Sequence, residues 1–129
     1  MVTFFCPSCW EEIPEGVTTC PSCGGDIAAA DRVAFREKLR RALWHPEPST
    51  ARRAAWILGE QGDDGSVEVL LRRYRDGADP YLGREIAEAL AAIGGRRARR
   101  ALDSMLDDRS AIVRRAVRML LERWPSESL

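Results

Sequence analysis

The residues with the most definite chemistry in this 129-residue chain are its four cysteines. They form two pairs, Cys6-Pro-Ser-Cys9 and Cys20-Pro-Ser-Cys23, separated by ten residues. A C-x2-C pair turns the backbone tightly enough to aim two thiolates at one point, and a hairpin-length spacer brings two such knuckles face to face. That is the arrangement a tetrahedral Zn2+ requires. Four protein ligands complete the coordination sphere and leave no position for a substrate or an activated water, so one zinc held by Cys6, Cys9, Cys20 and Cys23 is structural, not catalytic. Two disulfides are the competing reading. The start, MVTFFCPSC, has neither a basic n-region nor a long apolar run, so no export signal is read there. A cytoplasmic location is therefore expected, where thiols stay reduced. A redox C-x-x-C would need a βαβ context that neither pair has.

The flanks suit a small β unit over residues 1–27. Thr3-Phe4-Phe5 reads as a short strand entering the first knuckle and Trp10 to Ile13 as one leaving it. Pro14-Glu15-Gly16 makes a turn, and Val17-Thr18-Thr19 leads back to the second knuckle. Residues 4–27 closely resemble the short zinc ribbons of bacterial proteins, which begin with a CPxC pair and end in CPxCG, as Cys20-Pro-Ser-Cys23-Gly24 does here. A unit of this size buries too little apolar surface to fold alone, so metal binding supplies its folding energy.

Charge separates this unit from the rest. Residues 1–27 hold Glu11, Glu12, Glu15 and Asp26 and no Lys or Arg. All 20 basic residues therefore lie in 28–129, against 16 acidic ones, leaving that part at about +4 in a chain of zero formal net charge. Phosphate contacts are made by Lys and Arg, and four thiolates on one Zn2+ add a further negative charge. The ribbon is thus expected to face protein, either the chain's own helices or a partner. No stretch approaches the ~20 apolar residues of a membrane span.

From residue 28 the pattern becomes helical and repeats. Arg52 to Gly62 reads RRAAWILGEQG, Arg84 to Gly94 reads REIAEALAAIG, and Arg114 to Trp124 reads RRAVRMLLERW. Arg52, Arg84 and Arg114 coincide, as do Ala55, Ala87 and Val117, and Leu58, Leu90 and Leu120. Self-similarity at a period near 30 marks stacked repeats. An amphipathic leading helix over 31–44, with apolar residues at 35, 39, 42 and 43, precedes helix pairs over about 48–76 and 80–107 and a last helix over 110–124. Ser49 or Thr50 is the expected cap of the first of these. The small Ala54, Ala55 and Ala87 should let helices approach closely, while Leu58, Ile86, Leu90 and Leu120 fill the shared core. The repeated arginines are expected to bond turn carboxylates or carbonyls and tie repeat to repeat.

Two helices per unit of about 31 residues, the first carrying Arg-x-x-Ala-x-x-Leu-Gly/Ala and a following Gly, resemble the short HEAT-like repeats first associated with phycobilisome lyases. The resemblance spans about 46–124. It departs at Val117, which replaces the small Ala, and at Trp124, which replaces Gly. It implies an all-α fold, a short α-solenoid, carrying the small β zinc ribbon at its N-terminal end.

Positions that break the register carry the functional reading. Trp56 stands where the other copies have Glu88 and Arg118, so the pattern turns its indole outward, as a partner anchor or under the chain's own ribbon or leading helix. Trp10 raises the same choice, and Trp10 against Trp56 would dock the ribbon on the array. Arg96, Arg97, Arg99 and Arg100 open a helix against its macrodipole. With Arg72, Arg73 and Arg75 they form either an ordinary solvated face, given the acids interspersed among them, or a basic surface for an acidic partner or nucleic acid. His45, the single histidine, sits in a His-Pro-Glu-Pro connector with no nucleophile and orienting group around it. The expected function is a non-catalytic adaptor within a larger protein assembly. The alternatives are a nucleic-acid-associated protein using the Arg-rich face and, by resemblance alone, a bilin lyase or its accessory.

Overall fold

The computed structural model describes residues 3–27 and 35–125. Its N-terminal part is a pair of knuckles on a minimal sheet. Strands β1 (Phe4–Phe5) and β2 (Glu12–Ile13) pair antiparallel, with Phe4 opposite Ile13 and Phe5 opposite Glu12. The returning segment does not join this sheet. Thr19 instead makes an isolated bridge to Asp26, and the Ile27 N–H donates to the Thr18 carbonyl at 2.9 Å. The second knuckle is thereby closed by its own flanks.

Among the described residues six α-helices follow: α1 (Phe35–Ala42), α2 (Pro48–Gln61), α3 (Val67–Arg75), α4 (Pro80–Ile93), α5 (Gly95–Asp103) and α6 (Ala111–Glu122). The expected positions 31–34 of the leading helix lie outside the described residues. Its buried face is Leu39 and Leu43, whereas Phe35 is solvent-exposed and does not line the core. Helices α2, α4 and α6 stack side by side as one layer, and α1, α3 and α5 pack across them. A single core runs through both layers, with Leu58, Ile86, Leu90, Leu102 and Val117 fully buried. Leu120 is only partly buried, packed against the edge of that core.

Local chemistry accounts for the helix ends. Helix α2 is not capped by Ser49 or Thr50. Pro48 takes its first position behind an extended Glu47, a place where proline's missing N–H costs nothing. In α4 the Asp79 side chain accepts from the N–H groups of Tyr81 and Leu82 at 2.9 and 3.0 Å, and Pro80 follows it. The Ser110 hydroxyl accepts from the Ile112 N–H at the start of α6. Gly62 ends α2 in the left-handed conformation, φ +66°, which glycine adopts without steric cost. Helix α5 ends at Asp103, one turn short of Leu106, which stays exposed.

The ties between repeats differ from those the arginine ladder suggests. Of the three, only Arg114 reaches turn carbonyls, those of Asp108 and Arg109 at 2.7 and 2.8 Å. Arg84 lies over the Tyr81 ring, and Arg84 and Arg52 both act on Glu85. Burial pushes the Glu85 carboxyl up, Glu88 adds to that, and the two arginines pull it back only in part. The ties run instead through the ends of the second-layer helices. The Trp44 indole N–H donates to the Asp76 carboxylate at 2.7 Å, and the Tyr74 hydroxyl donates to the carboxylate of Asp108. Burial of Tyr74, with Asp108 beside it, holds that hydroxyl protonated. Arg40 bridges α1 to the next turn, donating to Asp63 at 2.5 Å and to the buried Ser66 hydroxyl at 3.2 Å.

Candidate metal centre and adjoining surfaces

Each knuckle is built by the same two backbone bonds. Cys6 N–H donates to the Glu11 carbonyl and Trp10 N–H to the Cys6 carbonyl. In the second knuckle Cys20 N–H donates to Gly25 and Gly24 N–H to Cys20. Amides also point at sulfur: Ser8 at Cys6, Ser22 at Cys20 and Gly25 at Cys23, all at 3.4 Å. Such donors stabilise thiolate over thiol.

The four sulfurs converge. Cys6 and Cys23 Sγ are 3.7 Å apart, Cys9 and Cys20 Sγ are 3.7 Å apart, and all four lie within 4.8 Å of one another. All four are free thiols. With Zn–S bonds of ~2.3 Å, the edge of a regular tetrahedron is ~3.8 Å, so the donor set fits a tetrahedral thiophilic cation. Protonation shows the same need for a cation. Burial alone would push the Cys6 thiol up, but the amides of Cys9 and Ser8 and the neighbouring sulfurs outweigh it and bring it to about 6. At Cys9 the Glu11 amide favours thiolate, yet desolvation and the three other sulfurs prevail and push it up to about 12. Four thiolates cannot share this space unless a positive charge sits between them. In a bound state all four residues would act as ligands, and the metal would supply cohesion to the fold.

With this geometry in place, comparison with known proteins is informative for the helices. A sequence model of HEAT repeats matches residues 36–122, well over half of the chain. The chain belongs to the HEAT repeat family. No curated protein and no solved structure matches the chain. HEAT repeats generally mediate protein–protein interaction, and no helix among the described residues is long and apolar enough to cross a membrane.

The ribbon is seated on the HEAT array through His45. The imidazole lies with ring centroids 4.8 Å from Phe5 and 4.8 Å from Trp10, and its Nδ1 accepts the Glu47 N–H at 3.0 Å. Trp10 therefore packs against the connector after α1 and not against Trp56. The sequence shows His45 only as a connector residue without catalytic partners, and nothing in it brings that connector beside Phe5 and Trp10. Trp10 also adopts φ +61°, the sole positive φ of a non-glycine residue in the described chain. It occupies the position that Gly24, φ +75°, holds in the other knuckle. A strained backbone at a bulky residue costs of the order of 1 kcal/mol or more, which the contact with His45 helps to offset.

Burial pushes the His45 pKa down, with Glu47 pulling it partly back up. A group whose folded pKa is depressed stabilises the docked state above its free value of ~6.5 and loses that contribution as pH falls through the folded pKa. The docking should accordingly loosen below about pH 6.5. Trp10 fluorescence, read in a variant keeping only that tryptophan, should shift toward the solvent-exposed spectrum on acidification, and His45→Phe should flatten the response.

The arginines predicted to bind a partner divide into two groups. Arg73 donates to the Leu43 carbonyl at 2.8 Å and the Asp76 carbonyl at 3.1 Å, and lies over Trp44. Arg97 pairs with Asp64 at 3.3 Å and Glu68 at 3.7 Å, and Arg99 lies over the Trp124 ring. These three have work inside the HEAT array, so the basic surface is not one uncommitted patch. Arg72, Arg96 and Arg100 remain exposed. Trp56 is 50% exposed on α2, uncovered by the ribbon.

Proposed function

We propose that this chain is a non-catalytic adaptor: a HEAT array that docks on a protein of a larger assembly, with a ribbon held together by one structural Zn2+. The observation that carries the reading is Trp56. A large indole half-open to water costs solubility and contributes nothing to the core, and the equivalent positions in the other two copies hold Glu88 and Arg118. Aromatic anchors of this kind dominate binding energy at protein interfaces. The chemistry of the donor set supports zinc, because four thiolates in a closed tetrahedron suit a cation with no need for an open position.

The test is affinity purification from the native host with Trp56→Ala alongside the parent. One stoichiometric partner should be recovered with the parent and lost or reduced at least ~30-fold with the variant, the ~2 kcal/mol scale of an interface hot spot. Thermal stability should be unchanged. A monomer with no recoverable partner, or equal recovery with Trp56→Ala, would count against the adaptor. Retention on duplex DNA at ~150 mM salt, abolished by substituting Arg96 and Arg100, would move the reading to nucleic acid.

A further inference from the structure

A groove of about 680 Å3 opens where the first knuckle faces α1 and α3. One wall is ribbon, Ser8 to Trp10; the others carry Arg41 and Trp44 from α1 and Arg72 from α3. Its size lies within the ~300–1,000 Å3 typical of ligand sites. The charges lining it are unequally committed. Glu37 is neutralised by Arg40 at 2.8 Å, and Glu68 faces Arg97 at 3.7 Å. The side chains of Arg41 and Arg72, by contrast, form no hydrogen bond or ion pair among the described residues. Two guanidinium groups line one groove without an acid of their own, beside two tryptophans. Trp44 is fixed by Asp76 and Arg73, and Trp10 is held in a left-handed backbone that glycine would fill at less cost.

We propose that this groove binds an extended acidic peptide segment of a partner protein, with carboxylates on Arg41 and Arg72 and an apolar side chain against Trp10 and Trp44. Guanidinium groups recognise carboxylates through paired, charge-assisted bonds. The ribbon wall argues for a peptide over a nucleic acid, since residues 3–27 contain no Lys or Arg and would repel a continuous polyanion. It also makes binding conditional on the metal, because that wall exists only while the knuckles are closed. The inference rests on the adaptor reading and gives it a second contact, separate from Trp56.

The test uses the full chain with zinc bound and an array of octapeptides. Each carries two carboxylates at a different spacing around one aromatic residue, with amide counterparts as controls. At least one acidic spacing should bind and its amide counterpart should not. In solution, the Arg41→Gln/Arg72→Gln double variant should weaken the best peptide by roughly tenfold or more, the scale of lost charge-assisted bonds. Its melting temperature should match the parent's. Chelation should abolish binding, and Trp56→Ala should leave it unchanged, so the groove and the indole are judged separately. The proposal is overturned if no acidic peptide exceeds its amide control, if the double variant binds as the parent does, if Trp56→Ala weakens the peptide equally, or if a labelled dT12 oligonucleotide binds more tightly than every peptide.

Discussion

Removing the metal should unfold the ribbon and leave the helices standing. The ribbon's own apolar cluster is three buried residues, Cys6, Ile13 and Cys20, with Cys9, Val17 and Ile27 partly buried beside them, and two of the three are ligands. No core of that size can offset the ordering of some two dozen residues at ~1–2 kcal/mol each. Structural zinc in units of this kind contributes ~10–16 kcal/mol, far above anything the two short strands or the His45 contact can replace. The helices, in contrast, share a continuous core to which the ribbon cluster does not belong. Metal analysis of freshly reduced protein should give about one zinc per chain. Chelation should change Trp10 fluorescence and leave the helical circular dichroism nearly intact, and Cys20→Ser should reproduce that state. Clearly less than one metal per chain, or helicity lost together with the metal, would defeat this account.

The second large effect is expected at Gly59, and its sign is opposite to the usual one. Replacing a mid-helix glycine by alanine ordinarily stabilises by ~0.5–1 kcal/mol. At Gly59 an added Cβ would stand 2.8 Å from the Ala89 Cα and 3.0 Å from its Cβ. Neither atom can swing away, so α2 and α4 would have to separate along the most extensive helix contact in the array. Overpacking of that kind costs ~1–3 kcal/mol, and we expect Gly59→Ala to lower the melting temperature by several degrees. Gly62→Ala is the informative companion. It meets open space but sits at φ +66°, so its cost, ~1 kcal/mol, would be conformational and not steric. Thermal or urea unfolding separates the two. A Gly59→Ala protein as stable as the parent would mean that the helices do not meet there.

Much of this architecture was legible because it repeats. The period of the Arg, Ala and Leu positions locates α2, α4 and α6, and the doubled C-x2-C locates the four cysteines whose sulfurs converge. The outward turn of Trp56 was legible from comparing copies, since its counterparts are charged, but whether the ribbon or the leading helix covers the indole was not. What escaped the sequence were relations between side chains that share no motif. Gly59 meeting Ala89 depends on the rotation of one helix against another. The ties from Trp44 to Asp76 and from Tyr74 to Asp108 pair an aromatic donor with an aspartate 32 and 34 residues on, and because the donor changes from Trp to Tyr and the spacing drifts, no motif marks them. The arginines misled for a related reason. A cation's sequence position says which helix carries it, but whether it is free depends on which carbonyl or carboxylate lies within reach. Arg73 found two carbonyls, and Arg41 none.

The two knuckles are nearly the same loop written twice, CPSC followed by tryptophan and CPSC followed by glycine. Their flanks differ as well, Phe5 entering the first and Thr19 the second, but the sharper asymmetry lies at the two left-handed positions. Placing an indole at one of them gives the small unit a front and a back. The end bearing Trp10 meets His45, and the end bearing Gly24 turns Cys23 to solvent. Trp10, with Phe5 beside it on His45, thus fixes the direction in which the ribbon is seated.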